Sequence, residues 1–147
     1  MALRVAVVGF GAMGGGAAWA LARRGHRVVV LDRHGVANRI GSSAGASRIF
    51  RLAYPEVDYV RLSQRALEGW RRLEADAGAE LYLRRGLLER GERALAYADA
   101  LAACDVAHRI VDGAETPALF PELVARPGEP ALFTDEAGPV LAADCQR

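Results

Sequence analysis

The architecture follows from residues 3–34, which read LRVAVVGFGAMGGGAAWALARRGHRVVVLDRH. Val5–Val8 is a short apolar run, typical of a strand buried on both faces. Small and apolar residues then recur at helical intervals until Gly25, where a helix would end. Arg27–Leu31 predicts a second buried strand, which ends at Asp32. The stretch therefore predicts a βαβ unit.

The turn after the first strand carries Gly9, Gly11 and Gly14 in a G-x-G-x-x-G spacing. In such a motif the first glycine permits a tight turn, the second lets the backbone approach a pyrophosphate, and the third lets the helix pack closely on the strand. The helix N-terminus offers free N–H groups to a diphosphate, and Asp32 stands where a carboxylate can accept hydrogen bonds from an adenosine ribose. These features predict a dinucleotide site. The alternative is a βαβ unit whose glycines serve packing alone.

Composition limits the classes of function. The chain has 147 residues, 52% of them hydrophobic, which is typical of a folded domain. A net charge of +1 gives no reason to expect nucleic acid as a partner. Two cysteines and three scattered histidines predict neither a disulfide framework nor a metal site. No run of 18 apolar residues occurs, so we expect no membrane partner and a cytoplasmic location.

Residues 33–47 are small and polar, as in a loop. Ser42 and Ser43 lie in its glycine-rich part, where backbone donors can approach a ligand, although a mobile surface loop explains the composition as well. Ser47 is predicted to cap a short helix that carries Arg48 and Arg51 at an i, i+3 spacing. Two convergent guanidinium groups suit a carboxylate. The alternative is a solvated or ion-paired surface.

The remainder of the chain predicts one long helix and then a mixed region. Residues 56–77 alternate apolar and charged faces at helical spacing. After Gly78, short strands are predicted at residues 81–83, 87–89, 109–111, 131–134 and 139–141, with a helix at 92–104 and the opening of another from residue 142. We therefore expect an α/β fold, with a Rossmann-like dinucleotide-binding portion over residues 1–80 and the incomplete beginning of a mixed α+β substrate domain over residues 81–147.

The order of motifs resembles the N-terminal part of the monomeric sarcosine oxidase and N-methyltryptophan oxidase family, FAD-dependent amine oxidases of the glycine-oxidase-like group. The resemblance covers nearly the whole chain but about the first two-fifths of a family member, so the chain looks truncated. The matching stretches are residues 7–14, 31–33, 41–43, 47–54, 86–88 and 136–141.

The resemblance implies FAD as the cofactor and assigns roles to residues. Those implied to lie at the FAD are Gly9, Gly11, Ala12, Met13, Gly14, Asp32, Arg33, Ser42 and Ser43. Arg48 is similar to a family arginine near the flavin ring, and Arg51 to the one that binds the substrate carboxylate; these two are the implied catalytic residues. Ala44 departs from some sarcosine oxidases, which have a histidine there. No metal is implied.

The implied reaction is the oxidation of a secondary or N-methyl amino acid with O₂, giving H₂O₂. The family's cysteine that holds the flavin and its lysine that assists the oxygen reaction lie far beyond residue 147, and this chain has no lysine. We therefore expect residues 1–147 to be inactive alone and to need the rest of the enzyme or another chain as a partner.

Two alternatives remain at this point. The glycines, with Arg23-Arg24-Gly25-His26, also resemble the opening of the NAD(P)-dependent β-hydroxyacid dehydrogenases. That interpretation requires further β-α repeats after Asp32, where the sequence instead offers the loop, the arginine pair and one long helix. The other alternative is a non-catalytic nucleotide-binding fragment.

Overall fold

The computed structural model describes all residues from Met1 to Arg147, and its chain forms two compact units. The first unit comprises residues 1–48 and 140–147, and the second comprises residues 49–139. In chain order the elements are β1 (Arg4–Val8), α1 (Ala12–Arg23), β2 (Arg27–Leu31), β3 (Arg48–Arg51), α2 (Val57–Ala77), β4 (Leu87–Arg90), α3 (Arg93–Ala102), β5 (Arg109–Asp112), α4 (Thr116–Leu119), β6 (Pro130–Thr134), β7 (Ala137–Val140) and a 3₁₀ turn (Asp144–Gln146).

The first unit contains the predicted βαβ arrangement. Strands β1 and β2 are parallel, with Arg4 opposite Arg27 and Val8 opposite Leu31. The helix α1 connects them and contacts both strands. It ends at Arg23, and Gly25 follows with φ +80°, a conformation that favours glycine, so the predicted helix end is confirmed.

The expectation that β1 and β2 are buried on both faces is wrong for this chain. Exposed and half-buried residues alternate along each strand. Val8 is 84% exposed, Val29 59% and Leu31 55%. The physical reason is that α1 is the one element that packs extensively on this two-stranded sheet, so the face away from α1 stays exposed. The apolar run predicts the strand but not what covers it.

The second unit is built on an antiparallel sheet in the order β4-β6-β5. Leu88 lies opposite Phe133, and Val111 lies opposite Ala131. The helix α3 packs on this sheet through buried residues that include Leu101. Leu132 of the central strand is fully buried, which places the core of the unit between the sheet and α3.

The long helix α2 agrees with its predicted bounds to within one residue, and Gly78 ends it in the left-handed conformation. Val60 and Leu67 are its buried apolar residues. The side chain of Gln64 donates a hydrogen bond from Nε2 to the carbonyl of Cys104 over 2.9 Å, which connects α2 to the segment after α3.

The short helix predicted after Ser47 is wrong, because Arg48–Arg51 form the strand β3, which pairs with β7. Ile49 and Phe50 suit a strand, and the pairing with β7 supplies backbone hydrogen bonds that no local pattern reveals. The strand predicted at residues 81–83 is a single bridge at Tyr82, and the helix expected from residue 142 is the 3₁₀ turn Asp144–Gln146.

The compact units divide the chain after Arg48, whereas the predicted functional boundary follows residue 80 and stays a prediction. The last eight residues belong to the first unit, where the N–H of Ala142 donates to the carbonyl of Ala46 over 3.1 Å. None of the helices is both long and apolar enough to cross a membrane.

Candidate functional site: a dinucleotide cavity and a paired arginine

The glycine turn between β1 and α1 has the geometry that its spacing predicts. Gly9 has φ +92°, so the turn needs a residue without a Cβ. A Cβ added to Gly14 would lie 1.9 Å from the carbonyl oxygen of Gly9, which shows how closely α1 packs against the end of β1. Helix α1 begins after Gly11, which has no side chain to cap it, and its first turn contains no acidic residue. The N–H of its first residue, Ala12, donates to Ser43 Oγ. Its N-terminal partial positive charge is therefore available to an anion.

Asp32 fastens this turn to the end of β2. Its Oδ2 accepts a hydrogen bond from the N–H of Phe10 over 2.7 Å, and its Oδ1 accepts one from His34 over 2.8 Å. These bonds, the one from His34 first, hold the pKa of Asp32 below its usual value of 3.8. Each carboxylate oxygen has a second lone pair, so ribose hydroxyls can still donate to it.

A cavity of about 320 Å³ lies beside the turn, entirely within the first unit. It is lined by residues 9–11, by Asp32 and His34, by Asn38 and residues 40–44, and by Gln146. Ser43 closes one side, where its Oγ accepts a hydrogen bond from the N–H of Ala12 over 2.9 Å. The structure therefore brings the glycine turn, Asp32 and the serine loop, residues 40–44, together around one space.

Several lining residues were not anticipated from the sequence, among them Asn38 and Gln146. Asn38 accepts a hydrogen bond at Oδ1 from the N–H of Ile40 over 3.0 Å and donates from Nδ2 to the carbonyl of Gly35 over 3.1 Å. An asparagine between two glycines is a turn signal, which is the clue that points to it. Gln146 reaches the cavity through the return of residues 140–147, and no local pattern signals that.

The side chain of Arg48 donates hydrogen bonds to backbone carbonyls of the loop that precedes it. Its guanidinium donates to the carbonyl of Ser42 from Nη2 over 2.6 Å and to that of Ser47 from Nη1 over 2.7 Å, and it also contacts the carbonyl of Ala44. Gly45 has φ +118°, and a Cβ added there would lie 3.0 Å from Arg48 Nη1. Arg48 thus holds the serine loop in shape, and its predicted place near a flavin ring stays a prediction.

Arg51 lies in the second unit and has a different set of contacts. It donates from Nη1 to Glu89 Oε1 over 2.9 Å, and its Cζ lies 5.1 Å from the centre of the Tyr54 ring. Arg48 and Arg51 are three residues apart on a strand, where side chains alternate between faces. The two guanidinium groups therefore do not converge as the predicted helix would have made them.

The remaining predicted cofactor residues surround the cavity less directly. Ala12 contributes its N–H to Ser43, while Met13 is 88% exposed in the first turn of α1. Arg33 follows Asp32 and is exposed, outside the cavity lining. The first unit holds eight arginines against two acidic residues, a net charge of +6. That charge attracts an anionic ligand such as a dinucleotide.

Residues 4–144 match the model of the family described as FAD dependent oxidoreductase. The chain belongs to this family. The prediction of FAD is confirmed at the level of the family, and the match favours FAD over the NAD(P) alternative.

Individual relatives are consistent with this assignment. The chain is 36% identical over 139 residues to the monomeric sarcosine oxidase of Streptomyces avermitilis, covering 91% of this chain and 36% of that protein. It is 32% identical over 141 residues to the human peroxisomal sarcosine oxidase, covering 92% and 36%. It therefore spans little more than a third of the length of these relatives, as expected for an N-terminal part.

Solved structures agree with the fold. NikD, an amino acid oxidase of nikkomycin biosynthesis, superposes with a TM-score of 0.80 at 26% identity, over 99% of this chain and 39% of that one. Glycine oxidase from Bacillus cereus gives a TM-score of 0.73 at 21% identity, over 99% and 41%. The α/β class is confirmed.

The residues present fit the adenosine and diphosphate parts of FAD. The glycine turn and the start of α1, which carries no acidic residue, are complementary to a diphosphate, and the carboxylate of Asp32 is complementary to a ribose. The net charge of +6 on the first unit points the same way. The fit therefore rests on this geometry as well as on the family match.

Proposed function

We propose that this chain is the N-terminal portion of an FAD-dependent oxidase that acts on a secondary or N-methyl amino acid and uses O₂. The similarity to the Streptomyces avermitilis sarcosine oxidase across 91% of the chain carries this proposal. The dinucleotide cavity of the first unit supports it, because the cofactor must be held before any amine is oxidised.

In the proposed reaction an N-methyl amine, O₂ and water are consumed, and the demethylated amine, an aldehyde and H₂O₂ are formed. When bound, FAD supplies the acceptor for the two electrons removed from the C–H bond next to nitrogen. Water then hydrolyses the resulting imine to the shorter amine and the aldehyde, and O₂ takes up the two electrons with two protons.

In this proposal the residues of this chain bind the cofactor and orient the substrate. The glycine turn and the start of α1 receive the diphosphate, and Asp32 receives the adenosine ribose. Arg48 keeps the serine loop closed beside the cavity. Arg51 anchors the substrate carboxylate, since a guanidinium presents paired N–H donors that match two carboxylate oxygens.

The cofactor is tested with full-length protein that contains this chain. It is expected to purify yellow with flavin absorbance and to release peroxide with N-methylglycine. Colourless protein that binds NADPH tightly would contradict the proposal and favour the dehydrogenase alternative. If the protein binds FAD but none of the amines tested reduces the bound FAD, the non-catalytic alternative is favoured.

The role of Arg51 is tested by Arg51→Lys, which keeps the charge but removes the paired donors. KM for N-methylglycine is expected to rise roughly tenfold or more, as for the loss of a charged hydrogen bond, with flavin content unchanged. Arg48→Lys is the matched control. It loosens the carbonyl contacts of the serine loop, so it should lower flavin content and leave KM of the loaded enzyme near its original value.

Two further parts of the proposal come from the sequence. Residues 1–147 alone are expected to release no peroxide, because the family's flavin-linking cysteine and oxygen-reactive lysine have no counterpart here. A cytoplasmic location is proposed on the cysteine usage, which shows no disulfide framework. Expression of residues 1–147 with an assay for peroxide and flavin tests the first of these.

A further inference from the structure

The ion pair between Arg51 and Glu89 lies in a partly desolvated place. The side chain of Arg51 is 30% exposed and that of Glu89 is 25% exposed, and the N–O distance is 2.9 Å. Tyr54 covers one side of the guanidinium at 5.1 Å. Partial burial and the aromatic neighbour make this pair stronger than a solvated surface pair.

Glu89 already accepts a hydrogen bond from the guanidinium group of Arg51 that would bind the substrate. A guanidinium offers two paired edges to a carboxylate, one through both Nη atoms and one through Nε and Nη2. Because Glu89 accepts from Nη1, the edge that it leaves complete is the one formed by Nε and Nη2. A carboxylate that binds there becomes a second anion beside the same cation.

The charge around this pair opposes a second anion as well. The second unit carries eleven arginines against sixteen acidic residues, a net charge of −5. With Glu89 bound, the Arg51 pair is itself neutral and supplies no net attraction to balance that field. An uncharged group in the same position would avoid the repulsion and still accept hydrogen bonds from Nε and Nη2.

We infer that Glu89 is a specificity-determining residue that lowers the preference of Arg51 for a free carboxylate over an uncharged amide or ester. This inference rests on the proposed function, because it assigns the substrate carboxyl group to Arg51. The substrate class is thereby extended to N-methyl amino acids whose carboxyl group is blocked, as at the N-terminus of an N-methylated peptide.

The test compares N-methylglycine with its amide in the FAD-loaded full-length enzyme. Glu89→Gln keeps the size and the Oε1 acceptor but removes the charge. The ratio of kcat/KM for the acid to kcat/KM for the amide is expected to rise roughly 5- to 20-fold. This range is the effect of one interaction with a charged group, lowered because the pair is partly exposed to solvent. The change should lie in KM for the acid, with kcat unchanged.

Glu129→Gln is the matched control. Glu129 is also paired with an arginine of the second unit, Arg90, at 2.7 Å and 24% exposure, so it tests a general effect of removing one acidic charge. The ratio should stay within about twofold of the original in this variant, since Arg90 has no assigned part in binding substrate. Equal changes in both variants would overturn the inference.

A second measurement does not depend on turnover. The NMR signal of the Arg51 Nε–H is followed while N-methylglycine or its amide is added, without oxygen, to loaded enzyme whose flavin has been reduced beforehand, so that neither compound is oxidised during the titration. The acid should saturate the signal at a lower concentration in Glu89→Gln than in the original protein, while the amide should not. Glu89→Met, uncharged and of similar length, replaces Glu89→Gln if that variant fails to fold, with the same expected direction.

The outcomes separate the two proposals. If the original enzyme reduces its flavin with neither compound, the proposed function fails. If it reduces flavin but the acid-to-amide ratio and the titration are unchanged in the Glu89 variants, the inference about Glu89 fails and the proposed function stands.

Discussion

Replacing Gly14 by alanine tests the close packing of α1 on β1, on which the dinucleotide cavity depends. The added Cβ would lie 1.9 Å from the carbonyl oxygen of Gly9 and 3.5 Å from Cγ1 of Val7. Real Cβ atoms stay at least 3.0 Å from such an oxygen, so helix and turn must separate by about 1.1 Å. The obstructing atom belongs to the backbone and cannot rotate away.

Two effects oppose each other in this substitution. Alanine is favoured over glycine in a helix interior by about 1 kcal/mol. Overpacking of a tight contact costs about 1–3 kcal/mol, and a backbone obstruction belongs at the upper end of that range. Gly14→Ala should therefore lower the free energy of unfolding by about 1–2 kcal/mol, which is a fall in Tm of about 3–6 °C for a chain of this size.

Gly16→Ala is the matched control in the same helix, because a Cβ added at Gly16 meets no atom within 4 Å. It should gain up to about 1 kcal/mol from helix propensity, with flavin content unchanged. The assay is thermal unfolding of the purified protein together with its bound flavin after dialysis. If Gly14→Ala is as stable as Gly16→Ala and keeps its flavin, the close approach is unimportant and the reasoning is wrong.

Four other predictions concern separate parts of the chain. Asp32→Ala should lose flavin on dialysis, and Asp32→Asn should lose less. Because the pKa of Asp32 is lowered, its stabilising effect should be present above pH 3.8 and fade below it, which is measured as the pH dependence of the difference in unfolding free energy between the original protein and Asp32→Ala. Burial raises the pKa of Tyr82 to about 12 and leaves its hydroxyl without a partner. Tyr82→Phe should therefore match or exceed the original stability by up to about 1 kcal/mol. Because the pKa of Tyr82 is raised, ionisation of Tyr82 should destabilise the original protein as pH rises from 10 to 12, and Tyr82→Phe should lack this loss. Glu74 accepts from the N–H groups of Leu81 and Tyr82 over 2.7 and 2.8 Å, so Glu74→Ala should cost about 2 kcal/mol in denaturant unfolding and Glu74→Gln about half of that. Equal costs would show that the charge of Glu74 does not strengthen these two hydrogen bonds. The charge of +6 on the first unit should make the rate of FAD association fall roughly tenfold from low to high salt in stopped-flow fluorescence, and a salt-independent rate would argue against electrostatic attraction.

Elements that are defined by local patterns were predictable from the sequence. The strand Arg27–Leu31, the end of α1 before Gly25 and the helix α2 lie where periodicity and glycine place them. The glycine spacing and Asp32 likewise predicted one side of the cavity. Each of these features depends on neighbours within about 20 residues, so the necessary information lies in one short stretch.

Tertiary structure alone determined the environment of the two arginines. The i, i+3 spacing of Arg48 and Arg51 suits a helix, but pairing with β7, some 90 residues later, makes the segment a strand and separates the side chains. Glu89 is one acidic residue among 18 in the sequence. Only the fold of the second unit brings it to Arg51, because contacts between distant strands depend on register and packing, which no local pattern encodes.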